Sequence, residues 1–324
     1  MDQYQQFIHI SRYARWLPEE KRRETWKETV ERLISFYHKK WEKLTGSRDD
    51  KLFQELFDAI YSLNVMPSMR SMMTAGIAAE RENIAMYNCA YVAVSNKRAF
   101  SETLYVLMCG TGVGFSCERQ EVNQLPVVPD NIVDADDVIV VGDSKEGWAK
   151  AYKKLVAALY NGEVPKIDYS RIRAAGKPLK VFGGRASGPE PLKRLFDFTI
   201  NKMKGAQGRK LTSLEVHDIM CMTGEITVVG GVRRAALISL SNLSDTRMAD
   251  AKSGQWWLEA SWRSLANNSA VYTEKPDAKT FLAEWLSLVR SGSGERGIIN
   301  RQALQKQAAR WGKRDKSLNY GVNP

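Results

Sequence analysis

A chain of 324 residues, 44% hydrophobic and 10% aromatic, has enough apolar material for one large core or two, which excludes a disordered tail. Lys and Arg total 48 against 37 Asp and Glu, a net charge of +11 that suits polyanionic partners. The basic residues are spread along helical faces such as Lys21 to Arg23 and Lys150 to Lys154, however, and no stretch resembles an RNA-binding module or a zinc finger, so the charge reads as solvated surface without direct nucleic-acid binding.

Cysteines stand at 89, 109, 117 and 221, spacings that fit neither a CxxC redox pair nor a zinc site. No metal site is expected. With neither a signal peptide nor an apolar run of membrane-spanning length, the sequence reads as cytoplasmic, with reduced thiols and no membrane partner.

The first region, residues 1–85, reads as mainly helical. Trp26, Val30, Leu33, Ile34, Tyr37, Trp41 and Leu44 recur at helical spacing after Pro18 and the acidic Glu19-Glu20, which predicts a helix with a core-facing stripe. A second helix, from Leu52 to Leu63, runs into Val65-Met66-Pro67-Ser68-Met69-Arg70, where proline stops it.

From residue 86 to 324 short apolar strands alternate with amphipathic helices, the texture of an α/β domain. Met86 to Val94 is a strand carrying Cys89, and Arg98 to Met108 a helix. Cys109-Gly-Thr-Gly-Val-Gly114 then reads as a loop whose glycines allow close backbone approach. Val138 to Val141 is a strand. Asp143-Ser144 caps the following helix, whose inner face is Trp148, Tyr152, Leu155, Val156 and Leu159.

Leu179 to Phe182 is a further strand, leading into Gly183-Gly-Arg-Ala-Ser-Gly188 and a proline-started helix, an arrangement that can cradle phosphate with Arg185 as an added donor. It is not a Walker loop, since the lysine and hydroxyl pair is absent. Thr212-Ser-Leu-Glu215 is a capping box for the next helix. Gly230-Gly231-Val232-Arg233-Arg234 is a second Gly/Arg loop ahead of a strand from Ala236 to Leu240. Two such loops in one α/β domain predict a nucleotide ligand.

These residues also carry a resemblance. Met66-Pro-Ser-Met-Arg70, Tyr87-Asn-Cys-Ala-Tyr91, Leu107-Met-Cys-Gly-Thr-Gly-Val-Gly-Phe115, Asp143-Ser-Lys-Glu-Gly-Trp148, Phe182 to Pro191 and Val228 to Arg234 resemble the adenosylcobalamin-dependent, class II ribonucleoside-triphosphate reductases. Leu240 to Asp245, Lys252 to Trp257, Ala266 to Ser269 and Gly294 to Gly297 extend the likeness over nearly the whole chain.

The resemblance implies an α/β fold: an N-terminal helical region followed by the first half of a ten-stranded reductase barrel. It implies thiyl-radical reduction of ribonucleotides to deoxyribonucleotides, with Cys89 as the first of a reducing cysteine pair and Asn323 as the asparagine that holds a ribose hydroxyl. Pro67, Ser68 and Arg70, with Gly110, Gly112 and Gly114, match substrate-binding segments. Asp143, Ser144, Lys145, Arg185, Gly231 and Arg233 match the region where a deoxynucleoside triphosphate (dNTP) effector selects the substrate.

The implied partners are a ribonucleoside triphosphate, adenosylcobalamin, a thioredoxin-type reductant and a C-terminal half of the reductase. The family's radical cysteine would follow Pro324 directly, so the chain alone is expected to be inactive. The alternative is a catalytically inactive nucleotide-binding regulatory protein derived from a reductase, which would need neither Cys89 nor Asn323.

Overall fold

The computed structural model describes residues 1–177, 185–229, 236–292, 294–312, 314–315 and 317–323. The strand predicted at Leu179 to Phe182 lies outside them. The chain divides into two compact units, Met1–Asn88 and Cys89–Pro324.

The first unit is helical: α1 (Gln3–Arg12), a two-stranded ribbon of β1 (Trp16–Leu17) and β2 (Arg22–Arg23), then α2 (Trp26–Thr45), α3 (Asp50–Tyr61), α4 (Met69–Thr74) and α5 (Ile77–Arg81). α2 starts later than Pro18 and Glu19-Glu20 suggest, because Thr25 and Glu28 form a reciprocal capping box there and the preceding residues turn through the ribbon. It ends at Gly46, which adopts a left-handed conformation. Only the first half of its apolar stripe is core. Val30, Leu33 and Phe36 pack with Ile60, Met72, Ala75 and Ala79, whereas Tyr37, Trp41 and Leu44 are exposed. Glu24, buried beneath α2, accepts from Arg32 and Thr29 side chains and the Arg15 amide, while Arg32 also donates to the Met72 and Ala75 carbonyls.

The second unit opens with β3 (Cys89–Ala93), α6 (Arg98–Met108), β4 (Gly112–Ser116) and α7 (Arg119–Val122). Then come β5 (Val133–Val140), α8 (Lys145–Leu159), β6 (Glu163–Asp168), α9 (Glu190–Lys204) and α10 (Ser213–Val229). It closes with β7 (Leu237–Asn242), α11 (Thr246–Ala249), α12 (Trp256–Glu259), β8 (Ala266–Tyr272), α13 (Ala278–Ser291), β9 (Gly297–Asn300) and α14 (Arg301–Arg310). Five strands form one sheet in the order β3-β4-β7-β8-β9, parallel at every pairing. β5 and β6 make a separate parallel pair. The unit is therefore α/β, as its sequence texture predicts.

Helices cover one face of the five-stranded sheet. Val113, Phe115, Leu237 and Ala266 share a continuous core with Leu104 and Leu107 of α6 and Val216, Ile219 and Met220 of α10. α8 adds Trp148, Tyr152, Leu155, Val156 and Leu159, all five residues of its predicted inner face. Capping fixes the helix starts: Glu215 and Thr212 exchange the two bonds of their box, and Ser144 accepts from the Gly147 amide. No described helix is long and apolar enough to cross a membrane.

One buried carboxylate ties three elements together. Asp218 of α10, 1% exposed, receives Lys202 of α9 at 2.8 Å and Arg263, from the short turn before β8, at 2.7 Å. Burial alone would raise its pKa, but bonds from His217, Arg263 and Lys202 outweigh it and hold the carboxyl well below the usual range. Such a group stabilises the fold above the unfolded carboxyl value of about 3.9 and ceases to as pH falls through the folded value. Asp218→Asn, which strands two cations, is expected to cost about 3 kcal/mol in urea unfolding at pH 7. The gap to the unsubstituted chain should narrow as pH falls below about 4; a gap independent of pH would contradict the assignment.

Candidate active site

Register decides which side chains share a face. Side chains alternate along a strand, and laterally paired residues of a parallel sheet point the same way. Cys89 pairs with Gly112, Tyr91 with Gly114 and Ala93 with Ser116; Gly114 pairs in turn with Ile238, and Ile238 with Asn267. These residues line the face opposite the helices. Cys89 and Asn267 on it are exposed, and Cys89 is a free thiol. Cys109, Cys117 and Cys221 are buried, and none is in a disulfide among the described residues. Burial foremost raises the Cys117 and Cys221 thiols well above their usual range, which makes them inert beside Cys89.

The segment 320–323 lies across this open face. A Cβ on Gly321 would overlap the Tyr91 ring, and a Cβ on Gly114 would overlap the Val322 carbonyl oxygen. The segment thus crosses from β3 to β4 at the Tyr91–Gly114 row, one pleat from Cys89, and brings the half-buried Asn323 to the same side of the sheet. Its approach is braced locally, where the Tyr320 hydroxyl donates to the Asp315 carbonyl at 2.7 Å.

Beyond that row the face is closed by a buried ion pair between Glu118 and Arg301, with the Ser116 hydroxyl donating to Glu118 at 2.8 Å. The Tyr91 hydroxyl is buried there without a hydrogen bond of good geometry, and burial foremost pushes its pKa up to about 12.

Gly112 and Gly114 are strand residues, which corrects the reading of 109–114 as a loop. Gly110, at φ 79°, makes the turn before β4, and the later glycines serve close backbone approach within a strand. In the first unit, Ser68 caps α4, the half-buried Pro67 precedes it, and Arg70 is buried with its Nε donating to Asn88 at 2.8 Å.

Of the expected effector residues, Asp143, Ser144 and Lys145 are consecutive at the start of α8, each with a partner. Asp143, exposed, accepts from Arg173 Nε at 2.8 Å. Ser144 is the helix cap. Lys145 places its Nζ 3.1 Å from the Cys109 sulfur and 5.0 Å over the Tyr105 ring, linking the start of α8 to the turn that leads into β4. Arg185, exposed, donates to the Gly176 carbonyl at 3.0 Å. Gly231 and Arg233 lie outside the described residues. Sequence reasoning missed Tyr91, Arg173 and the Glu118–Arg301 pair, whose roles arise from contacts distant in sequence. Among the described residues no group of three His, Cys, Asp or Glu side chains could hold a metal ion.

Two family models match the chain: the ribonucleotide reductase alpha domain over residues 1–77, and the insertion domain of B12-dependent ribonucleotide reductase over residues 127–204, which includes Asp143, Ser144, Lys145 and Arg185. Adenosylcobalamin-dependent ribonucleoside-triphosphate reductases are similar along most of the chain. The Lactobacillus helveticus protein is 30% identical over 89% of this chain and 47% of its own length. The Lacticaseibacillus paracasei protein is 29% identical over 96% and 50%. A probable enzyme of the same name from Dictyostelium discoideum is 27% identical over 83% and 39%.

The crystal structure of a B12-dependent (class II) ribonucleotide reductase shares the fold with a TM-score of 0.71, at 24% identity, over 82% of this chain and 45% of that one. The chain spans about half the length of the curated relatives it matches. From both family models, these relatives and the shared fold, the chain belongs to the class II ribonucleotide reductase family.

Proposed function

We propose that this chain supplies one part of the active site of a class II ribonucleotide reductase and acts on ribonucleoside triphosphates only when the rest of the reductase completes it. The observation that carries this reading is the open sheet face on which an exposed Cys89 and the segment ending at Asn323 stand together. Parallel sheets are ordinarily covered on both faces. Here one face has its helices, while the other presents a free thiol. In this reading the remaining part covers that face and closes the barrel.

Each role follows from the chemistry of its group. Cys89 is an exposed thiol fixed at the start of a strand, so it can deliver a hydrogen to a ribose carbon and then pair with a second cysteine as a disulfide. A thioredoxin-type dithiol would restore the pair. Asn323 offers an amide that both donates and accepts, suited to a ribose hydroxyl. Gly114 lets the backbone that carries Asn323 lie on the sheet.

Adenosylcobalamin would supply the radical that starts the reaction. No described side chain is identified by its geometry as a cradle for the cofactor, so the roles assigned here belong to this chain's own residues. At the other site Asp143, Ser144 and Lys145, with Arg173 paired to Asp143, would take a dNTP effector, and Arg185 would add a further donor. Lys145 would pass its binding to the turn before β4 through Cys109.

Reductase turnover is the direct test. With adenosylcobalamin, a dithiol and an effector, the chain alone should be inactive, and the chain mixed with a polypeptide carrying the rest of the reductase should turn over. Cys89→Ser should return the mixture to background while leaving the unfolding midpoint unchanged. Turnover by the chain alone, or full activity of Cys89→Ser, would sink the proposal.

Effector binding is measured separately, by titrating each dNTP into the chain in a calorimeter. Asp143→Ala is expected to weaken the tightest of them about tenfold, or ~1.4 kcal/mol. Unchanged affinity would remove Asp143 from the effector site.

A further inference from the structure

Residues 320–323 are seated against the Tyr91 ring. Tyr91 stands on the open face of β3, two residues beyond Cys89, and Gly321 is the residue whose missing Cβ makes room for the ring. On the adjacent strand, Gly114 is the lateral partner of Tyr91, and there the Val322 carbonyl oxygen comes down onto the sheet. Ring and glycine thus form a step and a gap, and consecutive residues of the segment use one each.

The ring is itself held from behind. Its hydroxyl end is buried toward Ser116, Glu118 and Arg301, where the Glu118–Arg301 ion pair joins the second residue beyond β4 to the first residue of α14. Two residues of strand rise about 6.6–6.8 Å. Because Tyr91 and Cys89 share one strand and one face, whatever rests on the ring stands at a fixed offset from the thiol.

We propose that Tyr91 is a positioning residue: its ring sets how closely residues 321–323 approach the sheet, and therefore where Asn323 stands relative to Cys89. The seating stands on geometry alone, and its bearing on ribose reduction rests on the reductase reading above. A bulky aromatic at 91 and a glycine at 321 are then one device. Neither is explained by the packing of the helix-covered face.

The test uses the 324-residue chain and brief native-state chymotrypsin treatment, with cleavage after Tyr320 read by intact mass. Each rate is normalised to that of a peptide spanning residues 316–323 of the same sequence. Cleavage of such a site tracks the population in which the segment is lifted away. Tyr91→Phe keeps the ring and should cleave at the unsubstituted rate. Tyr91→Ala removes the step, and Gly321→Ala places a methyl where the ring stands; each should raise cleavage about tenfold or more.

In the double variant the two effects should fail to multiply, because each removes the same contact. Hydrogen exchange of α6 and α10 reports whether the sheet and its helices remain folded. Should Tyr91→Ala unfold, Gly321→Ala alone decides, since the atoms nearest its added methyl are those of the ring. Unchanged cleavage in Gly321→Ala, or independent multiplying effects in a folded double variant, would overturn the proposal. The readout needs neither cobalamin nor turnover, so it stands or falls separately from the assignment of activity.

Discussion

The arrangement of the candidate site depends on one close approach, the Val322 carbonyl oxygen lying where any side chain at Gly114 would begin. A strand interior is a poor place for glycine, since it gives up packing and backbone entropy. At this row the loss is offset by letting a second stretch of backbone lie directly on the sheet. Everything else on that face follows from it: the row at which the segment crosses, the aromatic step at Tyr91, and the side of the sheet to which Asn323 is brought.

The two faces of the sheet obey different physics. Toward the helices, Val113, Phe115, Leu237 and Ala266 belong to one apolar core, and within it His217 and the Ser239 hydroxyl both pair with the Asn268 side-chain oxygen. Toward the segment the strands carry Cys89, two glycines, Ile238 and Asn267, which could not make a core without partners. The face is left open only around Cys89 and Asn267, the part that the proposed assembly with the rest of a reductase would cover. Lys145 adds a route by which the first turn of α8 can act on that face, because it meets the turn that positions β4.

Much of this is legible in the sequence wherever the signal is local. The Thr212/Glu215 box, the helix Arg98–Met108 and the inner face of α8 depend on residues within a few turns of one another, and all three stand as read. The start of α2 is harder to place because Pro18 and two glutamates imitate a helix opening, whereas the Thr25–Glu28 box further along satisfies more backbone donors. The glycines of 109–114 resemble a loop because a sequence does not show which strand another chain segment will lie upon. Tyr91 carries no local signal: its partner is Gly321, and only the fold brings the two together. The motif resemblance locates Cys89 and Asn323 but is silent on what holds them to one face.

The close approach at Gly114 is open to direct test in the solution structure of the Gly114→Ala chain, followed through NMR shifts and nuclear Overhauser contacts of residues 320–323 against Tyr91 and Cys89. The added methyl should expel the segment: contacts between Gly321 and the Tyr91 ring disappear, the β4–β7 pairing and the helix-covered core persist, and the shifts of Cys89 and Tyr91 move to those of an uncovered face. A segment that keeps its contacts with Tyr91 despite the methyl at position 114 would mean that Asn323 is not held by this face of the sheet.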